Sequence, residues 1–414
     1  MLISGDTRPD AMHLSPSDAD RLIRDHFLSF RQELVPLSQA RGRILREPIR
    51  ADRDIPPFNR VTMDGYALRS HEIARGTRVF VVHGFQPAGA PPQRLTNEAF
   101  SCLEVATGAV IPEGADCVLP RELVTRTEDR IQLLDTALQV VGGNAIHPRA
   151  SDAITGTPLI PAGVRLRARE LAIAASVGAC QLPVSTRPSI KIVSTGDELV
   201  PPSARIEAWQ LRRSNDVALA NALASAGFDD IECFVAQDSE ESLLGVVAPL
   251  LRSGNLVILT GGVSQGRLDL VPDVLSRLGV NRVFHGISQR PGKPMYFGVG
   301  SESVPVFALP GNPAAAFITL HRYVLPALVE ASVATLPRKP VVALTERVVF
   351  RPEMTCFLPV RLESGPKGEL LANPVPLNTS GDYTRLAEAD GFVELAAERS
   401  EFPAGYTTPF WRWA

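Results

Sequence analysis

LVILTGGVSQGRLDL (256–270), GISQRPGKP (286–294) and VFALPGNPAAAF (306–317) are three glycine-rich turns, two of them directly after short apolar runs of strand length. Asp269, Arg290 and Lys293 lie in or beside these turns. Backbone N–H groups bared by glycine, with a lysine and a carboxylate close by, suit an anionic phosphate ligand accompanied by a divalent metal. The stretch therefore predicts a ligand-handling protein, and more specifically an enzyme.

The residues just upstream repeat one rhythm. IKIVSTGDEL reads as strand then loop, DVALANALASAG as a helix closed by Gly227, and IECFVA as a strand. ESLLGVVAPLLRSG and NLVILTGG then read as helix and strand. Continuous apolar strands alternating with helices predict a parallel sheet covered on both faces. The turns after Val193, Leu259 and Leu309 fall at strand C-terminal ends, the edge at which open α/β sheets bind ligands.

Farther out the pattern changes. Ser15-Pro16 opens a helix on which Leu22, Ile23, Phe27 and Phe30 keep helical spacing. After Pro56-Pro57, residues 79–140 contain short β-like runs between turns. Residues 142–187 return to loop and helix, with 166–179 read as one apolar helix, and the tail beyond Pro340 is strand-like to its end.

A net charge of −3 over 414 residues argues against general nucleic-acid binding. The polar start and the absence of an apolar run of spanning length predict a soluble, cytoplasmic chain with no membrane partner. Cys102, Cys117, Cys180, Cys233 and Cys356 are scattered with no CxxC pair, which predicts reduced, buried thiols and no zinc site.

Each motif has its own chemistry. In TGGVSQGRLD, Gly261 and Gly262 let backbone approach a ligand, Ser264 offers a hydroxyl, and Asp269 is an oxygen donor suited to magnesium. In LPGNP, Pro310, Gly311 and Asn312 precede a proline-started helix whose free N–H groups attract an anion. RPGKP holds Arg290 and Lys293 on a loop stiffened by prolines, so Lys293 is aimed toward the ligand. STGDEL carries Asp197 and Glu198 at a strand end, equally consistent with binding ribose hydroxyls or metal and with a plain helix cap. MDGYA, taken alone, is a turn signal. His285, beside RPGKP, reads as structural.

Together these pieces resemble the molybdopterin molybdenumtransferase family, which includes MoeA and the E domain of gephyrin. The resemblance rests on ARGRILREPI, DIPPFNRVTMDGYAL, VATGAVIPEGADCVLPRE, STGDEL, SND, TGGVSQGRLDLVPDVL, QRPGKPMYFGV and ALPGNPAAAF, which occur in family order from about residue 15 to 320. It implies an α/β multidomain chain: a helical domain I from 15–54 and 142–187, an inserted β-rich domain II at 55–141, an α/β, MogA-like pterin-binding domain III at 188–336 and a β-barrel domain IV at 337–414. It further implies a homodimer whose pocket lies between domain III of one subunit and domain II of the other, which would bring Asp64 and Thr107 into the site.

The implied reaction takes adenylylated molybdopterin and molybdate, cleaves the pyrophosphate with magnesium, releases AMP and leaves molybdenum on the dithiolene. Asp269 is then a magnesium ligand, with Glu198 as a second, and Glu198 and Asp64 complete the acidic wall or orient water. Thr195, Gly196, Asp197, Thr260, Gly261, Gly262, Ser264, Pro310, Gly311 and Asn312 cradle nucleotide or pterin phosphate together with Arg290. Lys293 with Arg361 and Ser380 forms a molybdate pocket. The molybdopterin adenylyltransferase and apo-molybdoenzymes are the implied protein partners. The chain departs from the family pattern at Gly266-Arg267, Gly286, Ala150-Ser151 and Thr355-Cys356. The alternative is a non-catalytic carrier or scaffold of the same family, a reading that Arg267 favours.

Overall fold

The computed structural model describes residues 14–264, 269–335 and 338–413. Gly266 and Arg267 lie outside the described residues. At the centre is a six-stranded sheet built from β1 (Ile190–Thr195), β2 (Ile231–Ala236), β3 (Leu256–Thr260), β4 (Asn281–His285), β5 (Tyr296–Val299) and β6 (Pro305–Leu309). The order across the sheet is β2-β1-β3-β6-β5-β4. β2, β1, β3 and β6 run parallel, whereas β5 and β4 add an antiparallel edge that the sequence pattern did not show. The helices are α1 (Asn215–Ser225), α2 (Glu240–Ser253), α3 (Val271–Arg277) and α4 (Pro313–Thr319).

The inner strands β1, β3 and β6 are buried on both faces, and the period of two along each assigns the residues. Ile190, Ile192, Leu256, Ile258, Phe307 and Leu309 face one core, in which Phe297 and Phe307 pack at 4.7 Å between ring centroids. Val193, Val257, Leu259, Val306 and Ala308 face the other, against Leu243 and Val247 of α2. This two-sided burial explains why the strands read as unbroken apolar runs. The chain leaves β1 for β2 on one side and returns to β3 on the other, so the topological switch point lies between β1 and β3.

The N-terminal helix, Pro16–His26, starts as expected: Ser15 Oγ accepts from Asp18 N at 3.1 Å. It ends earlier than the apolar spacing suggested, with Phe27 at its C-cap and Phe30 beyond it. Ala19, Ile23 and Phe27 pack into the same core as one face of the central sheet. Residues 32–54 and 142–187 meet around a separate core of Val35, Leu45, Leu166 and Val184. The helical expectation for this unit needs correction. Its apolar helix is only Ala168–Ser176, and its segments are joined by short strands, notably Gln32–Pro36 antiparallel to Gln181–Ser185. Leu166 and Val177 flank that helix as buried anchors, which is why the apolar run exceeded it.

Between those segments a six-stranded sheet runs in the order 117–120, 65–68, 101–105, 79–86, 130–133, 124–127. The last unit is a barrel. Thr355–Ser364, Leu370–Pro374, Val341–Leu344, Thr407–Arg412 and Gly391–Leu395 pair in turn, and Gly391–Leu395 closes back on Thr355–Ser364. Gln289–Arg290 joins it as a parallel edge beside Thr355 and Cys356, tying the RPGKP loop to the barrel. All five cysteines are free thiols, but burial was expected of all and Cys180 and Cys233 are exposed. No helix among the described residues is long and apolar enough to cross a membrane.

Candidate functional site

A cleft of about 670 Å³ opens at the C-terminal ends of β1, β3 and β6, at the switch point. Three turns form its floor, and they approach so closely that glycine is required. At Gly261, φ is +99° and a Cβ would lie 2.6 Å from Thr195 Oγ1 and 2.7 Å from its carbonyl oxygen. A Cβ on Gly311 would lie 3.3 Å from the Cα of Gly261. The ends of β1, β3 and β6 are thus packed backbone on backbone, as expected of turns that must bare N–H groups to a ligand.

Asn215, the first residue of α1, ties this floor together. Its Nδ2 donates to Thr260 Oγ1 at 2.7 Å and to the Gly311 carbonyl at 2.8 Å. Asn312 Nδ2 donates to Ser380 Oγ at 2.7 Å, linking the floor to the barrel unit. The side-chain oxygens of Ser194 and Thr195 are buried without a hydrogen-bond partner in the protein. Such orphaned hydroxyls at a strand-end turn are available to a ligand oxygen.

The wall above β1 and β2 is acidic. Glu198, Asp238 and Asp269 all line the cleft. Burial, together with the charges of Asp197, Glu198 and Asp269, raises the Asp238 carboxyl above its ordinary value against the lowering effect of a hydrogen bond from the Asp197 backbone, while the Asp238 N–H donates to Asp197 Oδ1 at 3.1 Å. Carboxylates gathered on one wall of a cleft fit a cation. No three His, Cys, Asp or Glu among the described residues stand close enough to form a complete ligand set. The oxygen donors of Glu198, Asp238 and Asp269 are of a kind that suits a hard divalent cation such as magnesium, whose remaining shell water and ligand phosphate can fill.

Of the residues singled out from the sequence, Thr195, Gly196, Glu198, Thr260, Gly261, Gly262, Ser264, Asp269, Pro310, Gly311 and Asn312 line this cleft. Asp197 stands behind the wall, bonded to the Asp238 N–H. Lys293 is exposed and its neighbour Pro294 lines the cleft instead. Arg290 and Ser380 border a second cavity of about 290 Å³ against the barrel, floored by Cys356, Phe357 and Leu358. Arg361 lines neither cavity; it is exposed, with Glu363 at 3.8 Å. His285 is structural as read, with Nε2 2.8 Å from the Val263 carbonyl.

Asp64 and Thr107 are paired but do not line the cleft of their own chain. Both the backbone N and Oγ1 of Thr107 donate to Asp64 Oδ1 at 2.7 Å, and the backbone bond chiefly holds the Asp64 carboxyl below its ordinary range. MDGYA is more than a turn. Gly65–Leu68 is an interior strand, and a Cβ on Gly65 would collide with the Leu119 carbonyl at 2.1 Å.

Sequence reasoning missed Arg212, Arg213, Asn215 and Asp238, all of which line the cleft. The signal for Asp238 was available, since it follows β2 at the same sheet edge as the other turns. Asn215 lies within the SND triplet, whose role depends on a contact across 96 residues.

A strand-order switch with glycine turns and an acidic wall is the kind of site at which α/β enzymes bind phosphorylated ligands. Family models agree along the chain: the MoeA N-terminal region (domains I and II) matches 14–178, the probable molybdopterin-binding domain 191–330, and the MoeA C-terminal region (domain IV) 341–413. The molybdopterin molybdenumtransferase of Synechocystis sp. is 36% identical over 97% of this chain and 100% of its own length. That of Bacillus subtilis is 29% identical over 91% and 88%. The MoeA molybdopterin biosynthesis protein of Pyrococcus horikoshii superposes with a TM-score of 0.81 at 30% identity, covering 97% of this chain and 99% of that one. The chain belongs to the molybdopterin molybdenumtransferase family, and is a transferase of molybdenum cofactor biosynthesis.

Proposed function

We propose that the protein inserts molybdenum from molybdate into adenylylated molybdopterin, with magnesium-dependent cleavage of the pyrophosphate and release of AMP. The observation that carries this reading is the pairing, in one cleft, of three glycine-built turns with the carboxylates Glu198, Asp238 and Asp269. The N–H groups and hydroxyls around Thr195, Thr260, Gly261, Gly262, Ser264 and Gly311 bind and orient phosphate. Asp269 and Glu198 would hold magnesium, which neutralises charge on the pyrophosphate oxygens and so eases departure of AMP. Asp197 and Asp238 keep that wall negative.

Molybdate enters as substrate, and the boundary between the main cleft and the Arg290–Ser380 cavity is a place for it that agrees with the Asn312–Ser380 bond. Arg290 serves this anion better than Arg361, which lies outside both cavities. Lys293, exposed beside Pro294, acts from the rim. In the working arrangement, two copies of the chain pair and the Asp64–Thr107 turn of one completes the cleft of the other. The units are those read from the sequence, 15–54 with 142–187, 55–141, 188–336 and 337–414, and the protein works in the cytoplasm. Release of AMP from adenylylated molybdopterin tests this reading. Release should require magnesium and molybdate and should be lost in Asp269→Asn with the fold kept.

A further inference from the structure

The cleft has a second charge pattern besides its acidic wall. Among the described residues that line it, the cations are Arg212 and Arg213; Lys293 and Arg290 are not among them. Arg212 ends, and Arg213 follows, a short ribbon in which Leu199–Val200 runs parallel to Leu211–Arg212. Leu211 N donates to the Glu198 carbonyl at 2.8 Å and Arg213 N to the Val200 carbonyl at 2.9 Å. Immediately afterwards Ser214 occupies the N-cap position of α1, and Asn215 is bonded to the floor at Thr260 and Gly311. The Arg213 backbone is thereby clamped between the acidic rim and the phosphate-type turns.

Its side chain is 21% exposed, and its Nε is buried with no hydrogen-bond partner. Nη1 stands 3.6 Å from Asp216 Oδ2, an ion-pair contact too long for a hydrogen bond. A buried guanidinium N–H left without a partner is costly unless something else accepts it. A planar fork of donors matches phosphate oxygens two at a time. Arg212 adds charge at the rim, where it is exposed and its Nη2 donates to the Ala204 carbonyl at 3.3 Å.

We propose that Arg213, supported by Arg212, grips the phosphate of a nucleoside monophosphate in the cleft, and so makes the site select phosphorylated over unphosphorylated nucleoside. The inference rests on the nucleotide reading of the cleft given above. It divides the work: the carboxylates of Glu198, Asp238 and Asp269 take a cation, while the arginines take the anion that such carboxylates alone would repel.

The test is calorimetric binding of AMP and of adenosine to the full-length protein and to Arg213→Gln and Arg213→Lys, with melting temperatures as a check on folding. The unmodified protein should bind AMP more tightly than adenosine. Arg213→Gln should weaken AMP by about tenfold or more and leave adenosine unchanged, as expected when a charged hydrogen bond is removed. Arg213→Lys, which keeps charge but loses the fork, should fall between. AMP affinity that is unchanged in Arg213→Gln, while the unmodified protein still prefers AMP, overturns the arginine assignment alone. Equal weakening of AMP and adenosine overturns it too, and reduces Arg213 to a structural partner of Asp216. Failure of the unmodified protein to bind either compound overturns the nucleotide reading and this proposal with it.

Discussion

Asn215 Nδ2 lies 2.8 Å from the carbonyl oxygen of Gly311, a hydrogen bond across 96 residues of sequence. The same nitrogen reaches Thr260 Oγ1, so one amide fixes the start of α1 against the ends of β3 and β6. Asn215→Ala removes both bonds from the cleft floor. Urea unfolding should show a loss of about 1–3 kcal/mol, the cost of leaving a carbonyl and a hydroxyl unpaired. AMP affinity should fall more than that stability change implies, because the turns lose their register. A variant that loses stability but binds AMP normally would show that the tie is only structural.

Arg322 joins three parts of the chain. Its Nη1 donates to both carboxylate oxygens of Asp20 at 2.7 and 3.0 Å, and its Nε to Glu394 Oε2 at 3.0 Å. Its guanidinium also stacks 4.5 Å from the Trp411 ring centre. The side chain is 5% exposed, so Arg322→Met strands two partly buried carboxylates and should cost about 3 kcal/mol by chemical denaturation. The N-terminal helix should lose amide protection first. A loss below about 1 kcal/mol, the range of a surface pair, would contradict this account.

How much of this was legible in the sequence depends on the range of the contacts involved. The strand at 256–260 and the turns at Thr260 and Pro310 were readable because buried strands and glycine turns are written locally. The antiparallel edge of β4 and β5 was not, because direction depends on a pairing partner. Phe30 was read into the first helix because its spacing fits. In fact it packs against Phe27 from beyond the helix end, at 6.1 Å between rings. Asp269 and Glu198 could be proposed from type and position. Arg213 could not, since its meaning comes from an unpartnered Nε that only three-dimensional packing reveals.

His321 supplies a pH dependence. It is buried, with Nδ1 2.8 Å from the Phe317 carbonyl, and burial lowers its pKa to about 4. The folded value lies below the ordinary 6.5. The unfolded chain therefore takes up the proton first, and stability present above about pH 6.5 is lost as pH falls toward 4. The loss over that window should be on the order of 3 kcal/mol. His321→Gln should flatten the curve of melting temperature against pH between 6.5 and 4. An unchanged slope would remove His321 as the source.

The Asp64–Thr107 turn tests the shared-site reading. Asp64→Ala and Asp269→Asn variants, each inactive alone, should regain partial activity when mixed under conditions of subunit exchange. In a mixed dimer one cleft receives an intact Asp269 together with an intact Asp64. No recovery after proven exchange would mean that each chain completes its own site.

The most direct measurement of the central claim is AMP release from adenylylated molybdopterin, with and without magnesium and molybdate, for the unmodified protein and for Asp269→Asn. The account predicts release that needs both additions and that disappears in Asp269→Asn while the melting temperature is kept. Tight binding of the substrate by the unmodified protein with no AMP released, or full turnover in Asp269→Asn, would contradict it.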